Sequence, residues 1–236
     1  MTSGKLYLVP TYLHESNAQI LLNDNVQILT AIRYFVVEDV RTARRFLRSV
    51  IPDFNIDGST FWEIDKHASN PDFHLAIDTL RAGNMVGLLS EAGCPGIADP
   101  GSQLVLEAHK YNIPVVPWIG PSSLLLSMMA SGMNGQGYTF HGYLPAKQGA
   151  ELIKKIIQLE TDSEKTGYAQ QFIETPYRNQ ALFESLCKHL KSTTLLCIAT
   201  DLTGTNEYIK TKSIAQWRTT VVELNKRPTV FILQCP

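Results

Sequence analysis

The sequence predicts an α/β protein with two α/β domains. Short apolar runs alternate with segments of helical periodicity along the 236 residues, which is typical of strands connected by helices. Hydrophobic residues make up 44% of the chain, enough for a sizeable core. A Pro- and Gly-containing stretch near Trp118–Gly120 separates two halves of similar size. We therefore expect domains over residues 1–118 and 119–236, with a ligand in the cleft between them.

The first half begins with an apolar run that predicts a strand, and helical spacing then leads into a second buried run. Strands are predicted over residues 5–10, 34–39, 60–65, 84–90 and 113–118. Helical periodicity is found over residues 26–35, 40–50, 72–83 and 102–112. Gly83 stands where a glycine commonly ends a helix. This alternation predicts a parallel sheet covered by helices.

The second half repeats the alternation. Helices are predicted over residues 122–132, 150–159 and 179–190. Strands are predicted over residues 138–145, 167–175, 193–202, 206–213 and 228–234. Ser122 and Gly132 suit the two ends of the first of these helices. The polar run 206–213 is expected at a sheet edge, and the apolar run 228–234 in the core.

Composition excludes several classes of protein. The formal net charge is -1 and charged residues are 18% of the chain, so neither a disordered chain nor a uniformly basic surface is indicated. Four scattered cysteines without a C-x-x-C motif are typical of reduced thiols. The chain lacks the apolar region of a signal peptide, and its most apolar stretch, residues 115–130, is interrupted by prolines and a glycine. We expect a cytoplasmic protein with no membrane association.

The loop "SEAGCPGIADPG", residues 90–101, is unusually rich in glycine and proline. It follows a predicted strand and precedes a helix, and ligands of open α/β sheets bind beyond the carboxyl ends of strands. Its glycines would let a ligand approach the backbone, but a tight structural crossover uses the same residues, and these two alternatives stay even. The chain has neither a Walker A lysine nor a G-x-G-x-x-G motif, which disfavours nucleoside triphosphates and ordinary dinucleotides.

Two further loops join a strand to a helix. They are "WIGPSS", residues 118–123, and "ETPYRNQ", residues 174–180. The serines of the first loop can cap a helix or bind a ligand, and the second loop can equally be a surface turn. Three such loops, distributed over both halves, favour ligand binding more than any one of them alone.

Arginines at a spacing of i, i+3, i+4 and i+7 line one side of the predicted helix 40–50. They are Arg41, Arg44, Arg45 and Arg48. Guanidinium groups bind phosphate in a bidentate manner, so this side is compatible with contact to a nucleic-acid backbone. A solvated face paired with Glu38 and Asp39 is the alternative.

Taken together, the loops resemble a known family. "SEAGCPGIADPG" is similar to S-D-A-G-T-P-x-I-S-D-P-G of the ribosomal small-subunit RNA 2'-O-ribose methyltransferase I family, within the tetrapyrrole methylase superfamily. "VVPWIGPSS" resembles V-V-P-x-P-G-P-S, and "VVEDVRTARRFL" resembles A-E-D-T-R-x-T-x-x-L-L. "HGYLPAK" and "FIETPYR" resemble G-F-L-P-x-K and F-Y-E-S-P-H-R. Order and spacing agree over nearly the whole chain.

The resemblance implies a methyltransferase of the ribosomal RNA ribose 2'-hydroxyl, with tetrapyrrole methylase-like α/β domains. It also implies S-adenosylmethionine in the cleft between the domains, and a homodimer. In the first half the cofactor residues would be Tyr12, Leu13, Gly93, Cys94, Pro95 and Ile97. In the second half they would be Ser122, Ser123, Ile173, Glu174, Thr200, Pro228 and Thr229. Cys94 stands where the family has threonine, and we expect its thiol to face the cofactor.

Two loops depart from the family pattern. The family's A-T-P-I-G-N is "PTYLHES" here, so that His14 and Glu15 replace Gly-Asn. R-E-L-T-K is "ATDLTG" here, with Thr200-Asp201 in place of Arg-Glu and Gly204 in place of lysine. Two alternatives therefore accompany the RNA methyltransferase: a methyltransferase of a small, tetrapyrrole-like molecule, and an inactive protein that binds S-adenosylmethionine.

A ribose hydroxyl needs a base to accept its proton. The candidates, all on loops expected at the cleft, are Asp99, Glu91, Glu38 and His14. Asp99 could equally cap the helix that follows it. The six histidines are isolated in sequence and no metal-binding spacing is present, so no metal is expected.

Overall fold

In a computed structural model, the structure describes residues 4–15, 21–64, 71–146 and 149–236. The chain forms two compact units, Met1–Ser122 and Ser123–Pro236. Each unit has a five-stranded sheet with helices packed on it. The predicted fold class, two α/β units, is confirmed.

Unit 1 has a parallel sheet in the order β3-β2-β4-β1-β5. Its strands are β1 Leu6–Val9, β2 Tyr34–Val37, β3 Thr60–Glu63, β4 Val86–Leu89 and β5 Val115–Pro117. Its helices are α1 Asn23–Ala31, α2 Val40–Val50, α3 His74–Arg81 and α4 Ser102–Lys110. Since all described strands run in the same direction, their carboxyl ends meet at one edge of the sheet.

Both faces of the first sheet are buried, because successive side chains of a strand point to opposite faces. Tyr7 and Leu89 pack against α1 and α2 on one face. Leu6 and Leu88 pack against α3 and α4 on the other face. The near-continuous apolar runs of β2 and β4 follow from this double burial.

Unit 2 has a mixed sheet in the order β6-β7-β10-β8-β9. Its strands are β6 Tyr138–Tyr143, β7 Ala169–Ile173, β8 Leu195–Thr200, β9 Tyr208–Ser213 and β10 Thr229–Gln234. Its helices are α5 Ser123–Ser131, α6 Ala150–Thr166, α7 Asn179–His189 and α8 Ile214–Trp217. As predicted, β9 lies at an edge and β10 lies in the middle.

The prediction that the second half repeats the parallel arrangement is wrong. Among the described pairs of neighbouring strands in unit 2, β6 and β7 pair in parallel, while β10 pairs antiparallel with both β7 and β8, and β9 pairs antiparallel with β8. The connection 201–207 between β8 and β9 is too short for the crossover that parallel strands need. Three helices also differ: α1 spans Asn23–Ala31 instead of residues 26–35, α6 extends beyond the predicted segment to Thr166, and the short α8 was not predicted.

Within the described residues no helix is long and apolar enough to cross a membrane.

Candidate functional site

The carboxyl edge of the unit 1 sheet has the geometry of a ligand site. Strands β1 and β4 are neighbours, but the chain leaves them in opposite directions, from β1 to β2 on one side and from β4 to β5 on the other. Open α/β sheets bind ligands beyond the strand ends at such a switch point. The loops that follow β1 and β4, residues 10–15 and 90–101, therefore lie where a ligand is expected.

Backbone hydrogen bonds connect the loop after β4 to the loop after β1. The Thr11 amide donates to the Gly93 carbonyl at 2.9 Å, and the Gly93 amide donates back to the Thr11 carbonyl at 3.2 Å. The Ser90 hydroxyl adds a bond to the Gly93 carbonyl at 2.9 Å. These bonds fix the two loops in one arrangement at the switch point.

The same loop is also tied to the loops after β2 and β5. The Glu91 amide donates to the Glu38 carboxylate at 3.1 Å. The Cys94 thiol donates to the Pro121 carbonyl at 3.3 Å. The structure thus brings together the segments after β1, β2, β4 and β5. From the sequence, each of these segments could be identified only separately, as a loop at the end of a strand.

Glycine is required in this loop for its backbone conformation. Gly93 and Gly96 have φ values of +84° and +80°, and Ala98 follows at +60°. A Cβ on Gly93 would also lie 3.2 Å from Leu13 Cδ2 and 3.3 Å from the Pro121 carbonyl oxygen. The turn therefore uses glycine for structure, while Ile97 and Ala98 at its tip are exposed. Both of the alternatives that the sequence left even are compatible with this geometry.

The two residues expected from the end of β1 differ in accessibility. The Tyr12 ring is buried edge-on against Phe46 of α2, with ring centroids 5.5 Å apart. Burial, and secondarily the charge of Glu15, raises the pKa of Tyr12. Leu13 is half-buried beside Gly93.

All four candidate proton acceptors lie at this carboxyl edge. Glu38 directly follows β2 and is only 9% exposed. His14 and Glu91 are exposed, and Asp99 is half-buried ahead of α4. The Glu38 carboxylate accepts the Glu91 amide and so supports the loop after β4.

Cys94 is a half-buried thiol, and burial raises its pKa. A thiol in this state is a poor nucleophile at neutral pH. Together with its bond to the Pro121 carbonyl, this argues for a packing and hydrogen-bonding role within the loop.

The four arginines of α2 all lie on its exposed side, opposite the buried Ala43, Phe46 and Leu47. The Arg45 guanidinium pairs with Glu15 at 3.0 Å. The Arg44 guanidinium lies over the Phe61 ring, 5.2 Å from its centroid. Asp39 caps the helix by accepting the Thr42 amide at 2.6 Å.

In unit 2 the predicted cofactor residues gather at one edge of the sheet. Ile173 is in register with Val230, and Thr200 with Thr229. The buried Thr200 hydroxyl donates to the Pro228 carbonyl at 3.0 Å and lies 3.0 Å from the Thr229 hydroxyl. These two hydroxyls thus already bond within the unit. Pro228 itself is exposed.

Two arginines organise this edge of unit 2. Arg178 pairs with the buried Glu174 and donates to the Ala146 carbonyl at 2.8 Å. Arg227 pairs with Asp201 at 2.7 Å and donates to the Asn206 carbonyl at 2.7 Å. The pairing of Arg227 with Asp201 was not predicted from the sequence. Its position directly before Pro228 and Thr229, where a core strand begins, could have indicated a residue at this edge of the sheet.

The remaining predicted residues lie at the expected strand ends. Pro95 is buried within the loop after β4. Ser122 ends unit 1 and Ser123 begins α5 of unit 2, and both are half-buried. Across the described ranges, no group of three or more His, Cys, Asp or Glu side chains could hold a metal ion.

Comparison with known proteins gives relatives over most of the chain, although no family model matches. The chain is 29% identical over 222 residues to ribosomal RNA small subunit methyltransferase I of Vibrio cholerae, covering 94% of this chain and 73% of that protein. It is 28% identical over 227 residues to the protein of that name from Hydrogenobaculum sp., covering 96% and 91%. It is 34% identical over 177 residues to the one from Streptococcus pyogenes, covering 75% and 58%.

Among solved structures, the methyltransferase CobJ superposes with a TM-score of 0.62 at 17% identity, over 99% of this chain and 95% of that one. At this identity the match shows the fold alone. The relatives confirm the resemblance that the motifs predicted, and their names support the predicted enzyme class, a methyltransferase.

Proposed function

We propose that this chain, as a homologue of the ribosomal RNA small subunit methyltransferase I proteins, transfers a methyl group from S-adenosylmethionine to a ribose 2'-hydroxyl of ribosomal RNA. The observation that carries the proposal is the loop after β4. Its sequence resembles the family's motif, it lies at the switch point of unit 1, and its bonds tie it to three neighbouring loops.

The residues of the unit 1 edge fit a cofactor of this kind. The loop after β4 supplies close backbone approach at Gly96, where only the Ser102 amide nitrogen lies within 4 Å of a Cβ, and Leu13 and Cys94 supply half-buried side chains. A nucleoside with an amino-acid tail needs both backbone hydrogen-bonding groups and apolar contact. We assign Gly93, Cys94, Pro95 and Ile97 to that role.

S-adenosylmethionine, when bound, supplies an activated methyl group on sulfur. The chain has to hold the acceptor hydroxyl in line with that group, exclude water, and accept a proton. Asp99, Glu91, Glu38 and His14 all stay candidates for the proton, and Glu38 also accepts the Glu91 amide. Glu38 accordingly positions the loop.

The RNA-binding role falls to the exposed side of α2. Residues 1–122 contain nine Lys and Arg against thirteen Asp and Glu, and four of those nine are the α2 arginines. A concentration of guanidinium groups on an otherwise acidic unit favours contact with phosphates. The pairing of Arg45 with exposed Glu15 is a surface ion pair of small energy, so that a phosphate can replace the carboxylate.

Two measurements test the proposal. Calorimetry should detect S-adenosylmethionine binding, and its absence would remove the methyltransferase assignment altogether. Tritium-methyl transfer to small ribosomal subunits from cells lacking the protein should then label RNA. Transfer of label to a small molecule instead of RNA would indicate that the substrate is a small molecule. Tight binding of S-adenosylmethionine without any transfer would indicate an inactive binding protein.

The homodimer that the resemblance implies is part of the same proposal. Light scattering on the purified chain should give about twice the 26.3 kDa monomer mass. A monomer mass at micromolar concentration would contradict it.

A further inference from the structure

Two exposed tyrosines follow neighbouring strands of unit 2. Tyr143 is the last residue of β6 and is 58% exposed, and Tyr177, in the loop after β7, is 75% exposed. Strands β6 and β7 are parallel, so both tyrosines lie at the edge where Ile173 and Thr200 end their strands. Single exposed aromatic residues are ordinary, but here two lie at the same edge of unit 2 as the predicted cofactor residues Ile173 and Thr200.

The backbone at both tyrosines is held in place. Tyr143 is in register with Ile173 after a bulge at His141–Gly142, where Gly142 has a φ of +63°. Bulges of this kind re-aim the side chains that follow them. Arg178, the neighbour of Tyr177 in the chain, joins the two loops, since it pairs with Glu174 and donates to the Ala146 carbonyl at 2.8 Å.

We propose that Tyr143 and Tyr177 form a stacking surface for unpaired bases of a single-stranded RNA segment, an inference that rests on the proposed RNA methyltransferase function. Each tyrosine combines an aromatic ring with a polar hydroxyl, which suits a wet surface at which bases stack. Proteins recognise RNA mainly through unpaired bases, and a ribose hydroxyl is accessible in such a segment.

The charge of unit 2 agrees with an RNA ligand. Residues 123–236 contain twelve Lys and Arg against nine Asp and Glu, the reverse of the acidic excess in unit 1. An excess of positive charge raises the local concentration of a polyanion, while the aromatic rings supply contacts to the bases. A neutral apolar partner would gain nothing from this excess.

The test is a titration of a short single-stranded oligoribonucleotide that contains 2-aminopurine, whose fluorescence is quenched when the base stacks. Tyr177→Ala and Tyr143→Ala should each weaken binding by about 5- to 100-fold, the range known for loss of one stacked base. Tyr177→Phe and Tyr143→Phe keep the ring, and they should bind within about 3-fold of the wild type. The same RNA annealed into a duplex should bind with no difference between the variants.

Tyr138 provides the matched control. It lies at the other end of β6 and is 38% exposed, so Tyr138→Ala removes a surface ring from the same strand without touching the carboxyl edge. Thermal unfolding of all variants separates loss of stacking from loss of folding, and the Phe variants keep the test valid if an Ala variant unfolds. Quenching and affinity equal to those of the wild type in both folded Ala variants would overturn the inference.

The calorimetric assay keeps this inference separate from the proposed function. If the protein binds S-adenosylmethionine and methylates RNA, but the Ala variants match the wild type in RNA affinity, the methyltransferase proposal stands and only the stacking surface is rejected. No S-adenosylmethionine binding would remove the enzyme. No quenching of the RNA by the wild type would overturn the stacking surface in either case.

Discussion

Gly93 is the residue at which the loop after β4 is most constrained. Its φ of +84° is unfavourable for any side chain, and a Cβ there would crowd both Leu13 and Pro121. Gly93→Ala should therefore lower the free energy of unfolding by about 1–2 kcal/mol. Because the loop would shift, we also expect weaker S-adenosylmethionine binding. Urea unfolding and calorimetry measure the two effects.

Two other glycines separate the causes. Gly96 has a φ of +80° but open space around it, with only the Ser102 amide nitrogen within 4 Å of a Cβ. Gly135 has neither a positive φ nor a neighbour within 4 Å. Gly96→Ala should be less destabilising than Gly93→Ala, and Gly135→Ala should be close to neutral. Equal stability of the Gly93 and Gly96 variants would contradict the packing argument, and equal stability of all three variants would contradict the argument from φ as well.

Glu38 permits a distinction between positioning and proton transfer. Its buried carboxylate accepts the Glu91 amide at 3.1 Å, and a glutamine can accept the same bond without carrying a charge. Glu38→Gln should therefore keep cofactor affinity and kcat within about 5-fold of the wild type, whereas Glu38→Ala should lower cofactor affinity. Calorimetry and single-turnover methyl transfer test this. A glutamine variant that binds the cofactor normally but loses most of its kcat would identify Glu38 as the base instead.

Cys187 on α7 gives a pH-dependent prediction. Burial raises its pKa from the usual 9.0 to about 11, a shift that the nearby Arg218 only partly offsets. The thiol should therefore react slowly with iodoacetamide at pH 8.5, and its rate should rise toward pH 11. Since the unfolded chain loses this proton first, the stability that Cys187 contributes is present below pH 9 and is lost between pH 9 and 11.

A Cys187→Ser variant isolates this effect. Its loss of stability between pH 9 and 11 should be smaller than that of the wild type, and mass spectrometry after labelling identifies the reacting thiol. Labelling of Cys187 at pH 8.5 as fast as in the urea-unfolded chain would show that its environment does not hold the proton.

At the residue scale, the sequence could predict where a site lies but not how it is held together. The glycines of residues 90–101 and the strand before them indicated the loop, because backbone conformation and strand position are local properties. The Glu38–Glu91 bond spans 53 residues and the Arg227–Asp201 pair spans 26. Such partners depend on strand order, which a single sequence does not determine.

At the scale of elements, the contribution of the α2 N-terminal cap to stability can be measured by itself. Asp39 accepts the Thr42 amide at 2.6 Å, and its charge favours the amino end of the helix. Asp39→Ala should lower the free energy of unfolding by about 1 kcal/mol, whereas Asp39→Asn should retain most of the stability. Urea unfolding followed by circular dichroism measures both variants. If Ala and Asn were equally stable, the side-chain cap would contribute nothing.

The contrast between α2 and the second sheet explains which elements were predictable. The bounds of α2 agree with the predicted residues 40–50, because its cap and its apolar positions are both local. The direction of β10 was not predictable from periodicity, since parallel and antiparallel core strands have similar apolar runs. The last turns of α6 were not predicted either, because residues 160–166 are mostly polar and continue no apolar periodicity. The helix ends at Thr166, directly before Gly167, which has a φ of +69°.

At the scale of the whole molecule, the net charge disfavours RNA binding, whereas the local charge on α2 favours it. The chain carries a formal charge of -1, which by itself disfavours a polyanionic ligand. The basic residues are nevertheless concentrated, with four arginines on one exposed side of α2. RNA binding by this protein should therefore depend on individual phosphate contacts rather than on the overall field.

The salt dependence of RNA binding measures those contacts. Each phosphate neutralised on a single strand contributes roughly 0.7 to the slope of log K against log salt. An Arg41→Ala/Arg48→Ala double variant should therefore lower the magnitude of the slope by about 1.4 if both side chains contact phosphate. Filter binding or anisotropy between about 50 and 200 mM salt covers the range over which such slopes are usually compared.

The control removes the same charge elsewhere on unit 1. Arg81 and Lys110 are basic residues of α3 and α4 that pair with Asp78 and Glu107 on their own helices. An Arg81→Ala/Lys110→Ala variant has the same net charge as the α2 variant, so a mechanism based on overall field predicts equal losses of affinity in both. A mechanism based on phosphate contacts predicts that the slope changes in the α2 variant alone. A slope in the α2 variant equal to that of the wild type would assign the phosphate contacts to a surface other than α2, and equally lowered slopes in both variants would indicate the overall field.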